Sequence, residues 1–301
     1  MITARKKIWG WFFYDWASQP FHTLLMTFIF GPYFVIVASQ YYLGLGFDEG
    51  LADANAQVVW SRCLAVTGLI IGFGAPVLGA LADTTGRRRP WIVSFSAIYL
   101  ITASALWFTL PDGSNMWLML SVFGICFIVA EYTYIFINAQ LPSLGPISDV
   151  GKISGSAFGF GYAGGVLSLV IMLLFFVEQA NGKTMVLEID PLFGFDATLK
   201  EGTRFVGPFV ALWFAVFMIP YFLWVKEAPS NGTKINIALG LANLRNSIQS
   251  LRHRKSLSAY LGASMLYRDA LNGLYSFGGT YAVLVLNWDI VKLGQFGIIA
   301  A

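Results

Sequence analysis

Four ionisable residues lie within or at the edge of long apolar runs, where charge is costly. Glu131 sits in VAEYTYIFIN, Arg268 and Asp269 are adjacent in LYRDALNGLYSFGGTYA, and Asp15 follows GWFFY near the N-terminus. A charged side chain inside a bilayer span costs at least a few kcal/mol, so each is first read as a functional group. Glu131 is the candidate proton carrier, because a carboxyl can be neutral in hydrocarbon and charged where water reaches it. Arg268 does not readily release its proton and needs a partner. Glu131 across a central cavity is the expected partner, and a substrate carboxylate is the competing one. Asp269 points about 100° away from Arg268 on a helix, so the two need not pair. Asp15 is either a functional carboxylate or an interfacial capping residue near Arg5, Lys6 and Lys7. Tyr132, Tyr134, Asn138 and Asn272 can add hydrogen bonds to such a site, with packing as the simpler role for any one of them. His22, alone in an apolar run, reads as a packing histidine.

Other chemistry finds little footing. GFGYAG, residues 159–164, has the spacing of a dinucleotide loop, but no βαβ pattern surrounds it. Its glycines, with Gly155 and Gly165, instead make pairs four apart (Gly155 and Gly159, Gly161 and Gly165), a pattern that lets helices approach closely. Cys63 and Cys126 are isolated in apolar runs and suggest neither a disulfide framework nor a metal site. H-E-x-x-H, the P-loop and G-x-S-x-G are all missing, and two histidines leave little room for a histidine-based centre. No enzyme activity, cofactor or metal is expected. The basic run RHRK, residues 252–255, abuts an apolar segment, which favours anionic lipid over nucleic acid.

The elements that position these residues follow from composition. The chain is 57% hydrophobic and 12% charged, whereas soluble domains carry about 25% charge. The class is a polytopic α-helical membrane protein. About 20 apolar residues cross the hydrocarbon layer, and seven such runs are expected, near 17–42, 59–82, 91–110, 116–138, 153–178, 205–225 and 258–287. Leu293 to Ala301 is apolar but too short to cross, and reads as the start of an eighth span. The first run is too long for a cleaved leader. Arg5, Lys6, Lys7, Arg87, Arg88, Arg89, Lys152 and every lysine and arginine between 226 and 255 share one side, while Arg62, Lys183, Lys200, Arg204 and Lys292 share the other. The positive-inside rule then places the N-terminus in the cytoplasm. Ile237, Leu241, Leu244, Ile248 and Leu251 recur at helical spacing within a basic connection. They predict a helix lying on the inner membrane surface or packed on the bundle as a linker. The expected units are a six-span bundle over 1–225, a cytoplasmic linker over 226–257 and the start of a second bundle over 258–301.

The stretch GALADTTGRRRPW, residues 79–91, falls in the short loop between the second and third spans. Pro90 suits the first turn of a helix, Gly86 suits a tight turn, and Gly79 suits close helix packing. Asp83 is placed to pair with an arginine or to cap the next span. Gly79, Leu81, Ala82, Asp83, Gly86, Arg87, Arg88 and Arg89 together resemble the signature loop of the major facilitator superfamily. Tyr14 to Ser18, INAQLPSL, ISGSAFGFGYAGGVLSL and the segment around Arg268 resemble its vacuolar-effluxer-like branch. Gln19 and Pro20 depart from that pattern.

The resemblance implies a major facilitator bundle with a complete six-span N-terminal half and a truncated C-terminal half. A missing C-terminal half or a second chain would then be a partner. It implies that Gly79, Asp83, Gly86 and the three arginines form a gating latch away from substrate. Spans one, four and seven, which begin successive three-span units, would line one cavity with Asp15, Glu131, Tyr134, Asn138, Arg268 and Asp269. The expected function is secondary transport of a small polar solute, amino acids in the efflux direction, coupled to protons in a bacterial plasma membrane. The alternative is a non-transporting receptor-like or assembly subunit, or an inactive fragment. Solute, protons and membrane lipids are the expected partners, with no nucleic acid.

Overall fold

The computed structural model describes residues 4–179, 181–184, 187–227, 237–289, 292–293 and 295–297. The side chains of residues 85, 275, 276, 280 and 284 are also outside the description. Most of the run from Leu293, and the linker-like stretch after Ala228, lie outside the described residues.

Among the described residues, six helical segments are long and apolar enough to cross a membrane: Ala4–Gly44, Glu49–Thr84, Arg89–Phe108, Met116–Ser143, Ile147–Phe175 and Glu201–Trp224. The first begins well before the expected residue 17. It comprises α1 (Ala4–Pro20), a π-helical stretch (Phe21–Phe28) and α2 (Phe30–Gly44). Pro20 has no N–H to donate, and the next turn widens until Ile29 N donates to Leu24 O at 3.0 Å. Within the wide turn, the Thr27 hydroxyl donates to His22 O at 2.9 Å.

Asp48 caps α3 (Glu49–Thr85), accepting from Leu51 N at 2.9 Å. Gly86 closes α3 with φ +63°, a conformation other residues adopt only with strain. Pro90 lies in the first turn of α4 (Arg89–Ala105), as expected. The remaining spans are α5 (Met116–Asn138), α6 (Ile147–Phe175) and a broken sixth made of α7 (Glu201–Arg204), α8 (Val206–Phe217) and α9 (Ile219–Trp224). Pro220 accounts for the step between α8 and α9. Two further helices follow, α10 (Ile237–Leu251) and α11 (Lys255–Leu284). At 30 residues, α11 is long enough to cross, but Arg268, Asp269 and Asn272 make its middle more polar than the other six.

The first helix is the hub. α1 packs along α6 and also meets α8 and α9, α4 packs on α5 and α8, and α3 packs on α2 and α5. The buried centre is aromatic. Phe21 stacks on Phe123 and Phe127, Phe123 meets Trp60, and Trp60 meets Phe34. Two indoles fix the hub to its neighbours: Trp11 Nε1 donates to Ile137 O of α5 at 3.2 Å, and Trp213 Nε1 to Trp16 O at 3.0 Å. Apolar residues such as Val66, Leu69 and Phe73 of α3 are exposed, as expected for a face solvated by lipid chains.

α10 occupies the predicted amphipathic segment. Its one buried residue, Gly240, rests against α3, where an added methyl would lie 3.2 Å from Ala80 O. Ile237, Leu241 and Ile248 stay exposed. The helix therefore leans on the bundle and still presents an apolar row.

The glycine expectations divide. A methyl at Gly164 would lie 2.8 Å from the Trp16 ring, and one at Gly165 2.7 Å from Gln19 Cγ and Thr23 Oγ1. With Gly161, which faces the Asp15 backbone, these residues let α6 touch α1. The same was expected of Gly155, Gly159 and Gly79, and there it fails: no atom would lie within 4 Å of a methyl at any of them. Helical spacing makes a small face, and a partner must still reach it.

Candidate functional site

Glu131, Tyr134 and Asn138 are three and four residues apart and share one face of α5. Tyr14 and Ser18 of α1 and His22 of the π-helical stretch that follows are spaced four apart, and all three line one cavity. The two sets meet. The Tyr14 and Tyr134 rings lie 6.5 Å apart, and His22 Nε2 is 3.8 Å from Glu131 Oε1. Between them is a cavity of about 10 Å³, lined by Tyr14, Ser18, Phe21, His22, Tyr99, Ala130, Thr133, Tyr134 and Phe214. That is room for roughly one water molecule. The buried hydroxyl of Tyr99 has no hydrogen-bond partner among the described residues, nor has Asn138 Nδ2. Buried donors without partners are rare in folded proteins.

Several expectations change here. The expected ion pair between Glu131 and Arg268 is not formed; the group within ion-pair distance of Glu131 is His22, which sequence alone assigned to packing. Arg268 and Asp269 are both exposed on α11 and take part in no ion pair among the described residues. Asp15 lies eleven residues into the first spanning helix, against Gly161 of α6. The cations near it in sequence do not pair with it, and Lys7 donates to Ser143 O at 3.0 Å instead. Tyr132 turns away from the site and donates to Ile70 O of α3 at 2.9 Å, a packing role. The π-helical turn of His22 also touches α11.

The polar loop forms a second node. Arg88 Nη2 donates to Asp83 Oδ1 at 2.7 Å, one of the two roles expected of Asp83, and Arg88 Nη1 to Ala139 O at the end of α5. Arg89 Nη2 donates to Phe222 O of α9 at 2.8 Å, with its guanidinium over the Phe222 ring. Glu227 was not anticipated. Its Oε1 accepts from Arg88 N at 2.7 Å and Arg89 N at 2.9 Å, capping α4 from the far end of the sixth span. The chain separation, more than a hundred residues, hides such a cap from any local reading. Through this node the loop ties the ends of α3, α4, α5 and α9 into one face.

Among the described residues, no group of three or more histidine, cysteine, aspartate or glutamate side chains is close enough to hold a metal ion. Six long apolar helices among the described residues, packed around a buried aromatic centre, define a polytopic helical membrane protein of the major facilitator kind. Residues 52–301 match the family described as vacuole effluxer Atg22 like, and the chain belongs to that family. It is also 22% identical over 274 residues to an uncharacterized MFS-type transporter, YxiO, of Bacillus subtilis (strain 168). That match covers 90% of this chain and 59% of the relative. No solved structure matches it.

Proposed function

We propose that the protein is part or all of a proton-coupled secondary transporter that moves a small polar solute by alternating access. Amino acids in the efflux direction are the proposed cargo, in keeping with the family's description as effluxers. One observation carries the reading. Glu131 lies 3.8 Å from His22, and His22 lines a small cavity with Tyr14, Ser18, Thr133, Tyr134 and Tyr99, whose buried hydroxyl lacks a partner among the described residues. A carboxylate beside an imidazole can hold a proton in one state of the bundle and release it in another. Arg268, unpaired with Glu131, is the proposed clamp for a substrate carboxylate, with Tyr134 and Asn138 adding hydrogen bonds. Asp15 and Asp269 are proposed to border the same path. The loop of Asp83, Gly86, Arg87, Arg88 and Arg89 is the proposed latch. Gly79 has no neighbour to contact in this state. The N-terminus is proposed to be cytoplasmic and the membrane the bacterial plasma membrane.

The test is flux of radiolabelled amino acids in reconstituted vesicles with and without a pH gradient. In Glu131→Gln, gradient-driven flux is expected to disappear while solute exchange at equal pH persists. Loss of both in well-expressed protein shows that Glu131 binds substrate or supports the fold and carries no coupling proton. Absence of flux from wild-type vesicles leaves a receptor-like or assembly role.

A further inference from the structure

We propose that a groove between the start of α1 and the end of α9 binds the headgroup of an anionic phospholipid, in the leaflet bordering the basic side of the protein. Arg5 and Lys6 stand on its rim, and Trp9, Phe13 and Trp224 wall an open volume of about 320 Å³. Ala4 begins the first spanning helix and Trp224 ends the sixth, so the groove lies at the membrane–water boundary. Tryptophan is favoured at that depth.

The walls are built rather than left over. Trp9 sits edge-on to Phe160 of α6 at 5.8 Å, and Phe13 meets Phe160 at 5.6 Å and Trp224 at 6.3 Å. At the floor α1 touches α9, because a methyl on Gly10 would lie 3.1 Å from both Pro220 O and Trp224 Cβ. The rim is electrostatically one-sided. Among the described residues no acidic side chain lines the groove, and Arg5 makes no bond with any of them. Lys226 follows two residues after Trp224 and is exposed.

Charge complementarity selects the occupant. A zwitterionic lipid gains little from a rim of cations, and inorganic phosphate leaves three aromatic walls bare. An anionic phosphodiester with its glycerol and first methylenes uses both features, the phosphate on Arg5 and Lys6 and the apolar part on the rings. This site is independent of what the protein moves.

The experiment is native mass spectrometry of the full chain in delipidated detergent, titrated with phosphatidylglycerol, phosphatidylcholine or inorganic phosphate. Phosphatidylglycerol is expected to fill one saturable site that phosphatidylcholine fills weakly and phosphate does not compete for. Arg5→Gln with Lys6→Gln is expected to weaken it about thirty-fold, about fivefold for each cation. Arg62→Gln with Lys183→Gln, an equal loss of charge on the opposite side of the protein, is expected to leave it unchanged. Equal weakening in both double variants overturns the proposal in favour of diffuse surface charge. Displacement by millimolar phosphate, or equal affinity for phosphatidylcholine, also overturns it. Should the double variant aggregate, Arg5→Gln alone, an exposed change, is read for a fivefold loss.

Discussion

Glu178 shows how far a single residue's role depends on its surroundings. Its side chain is fully buried just past the end of α6, accepting from Thr203 Oγ1 at 2.8 Å and Thr203 N at 3.1 Å, with Lys200 Nζ 3.9 Å away. Burial raises its pKa above the usual glutamate range, outweighing the hydrogen bonds and the lysine that favour the charged form. The sign follows from the raised folded-state pKa. Stability from this group is fully present below the unfolded pKa of about 4.3 and is lost as pH rises through the folded one. Glu178→Gln, which mimics the neutral acid, is therefore expected to match wild type in melting temperature at pH 4 and to equal or exceed it at pH 8. A wild-type advantage that grows with pH contradicts the assignment. Glu178→Ala leaves the Thr203 N–H buried and unpaired, and is expected to cost about 1–3 kcal/mol, read as a lower melting temperature at every pH. Glu131 was legible in the sequence because a carboxylate within an apolar run stands out. His22 was not, because an imidazole in such a run is uninformative until a neighbour faces it.

At the scale of elements, contact between α1 and α6 decides where Asp15, Ser18 and His22 stand. The glycines of α6 look alike in sequence, and the fold separates them into a packed set and an open set. Gly164→Ala is expected to cost about 1–3 kcal/mol, since the methyl presses on the Trp16 ring and on Trp16 O at 3.1 Å. Gly155→Ala, with nothing within 4 Å, is expected to be neutral or slightly stabilising, because alanine is the better helix former. Thermal melts in detergent of the two variants give the comparison. Equal behaviour removes the claim that Gly164 sits at a tight crossing. Helix ends were the poorest part of the sequence reading. The first helix begins at Ala4, ahead of the apolar run expected from residue 17, because α1 extends along α6, α8 and α9.

For the whole molecule, alternating access requires two bundles that rock against each other, and this chain spans 59% of the length of the relative it matches. If transport is the activity, protein isolated from its own membrane with an antibody to the 226–257 segment is expected to carry a second bundle. That appears either as a product heavier than 33.1 kDa or as a stoichiometric second chain. A lone product of 33.1 kDa that moves no solute excludes transport by this protein. The exposed faces of α3 and the open glycines of α6 are the surfaces to examine in either case, by cysteine cross-linking from positions such as Gly72 and Gly155.

Composition and periodicity by themselves determined the class, the long apolar helices as elements, the polar loop between the second and third of them, and the glycine turn at residue 86. These follow from rules that act locally or along one helix: transfer of apolar side chains out of water, satisfaction of backbone hydrogen bonds, and the cost of positive φ. Tertiary structure alone decided that Glu131 faces His22 rather than Arg268, that Glu227 caps α4, and that Gly164 is buried while Gly155 is bare. Each of these depends on which helices become neighbours and how they are rotated. A helix sequence sets the angles between its own side chains, but packing sets the direction in which that pattern points.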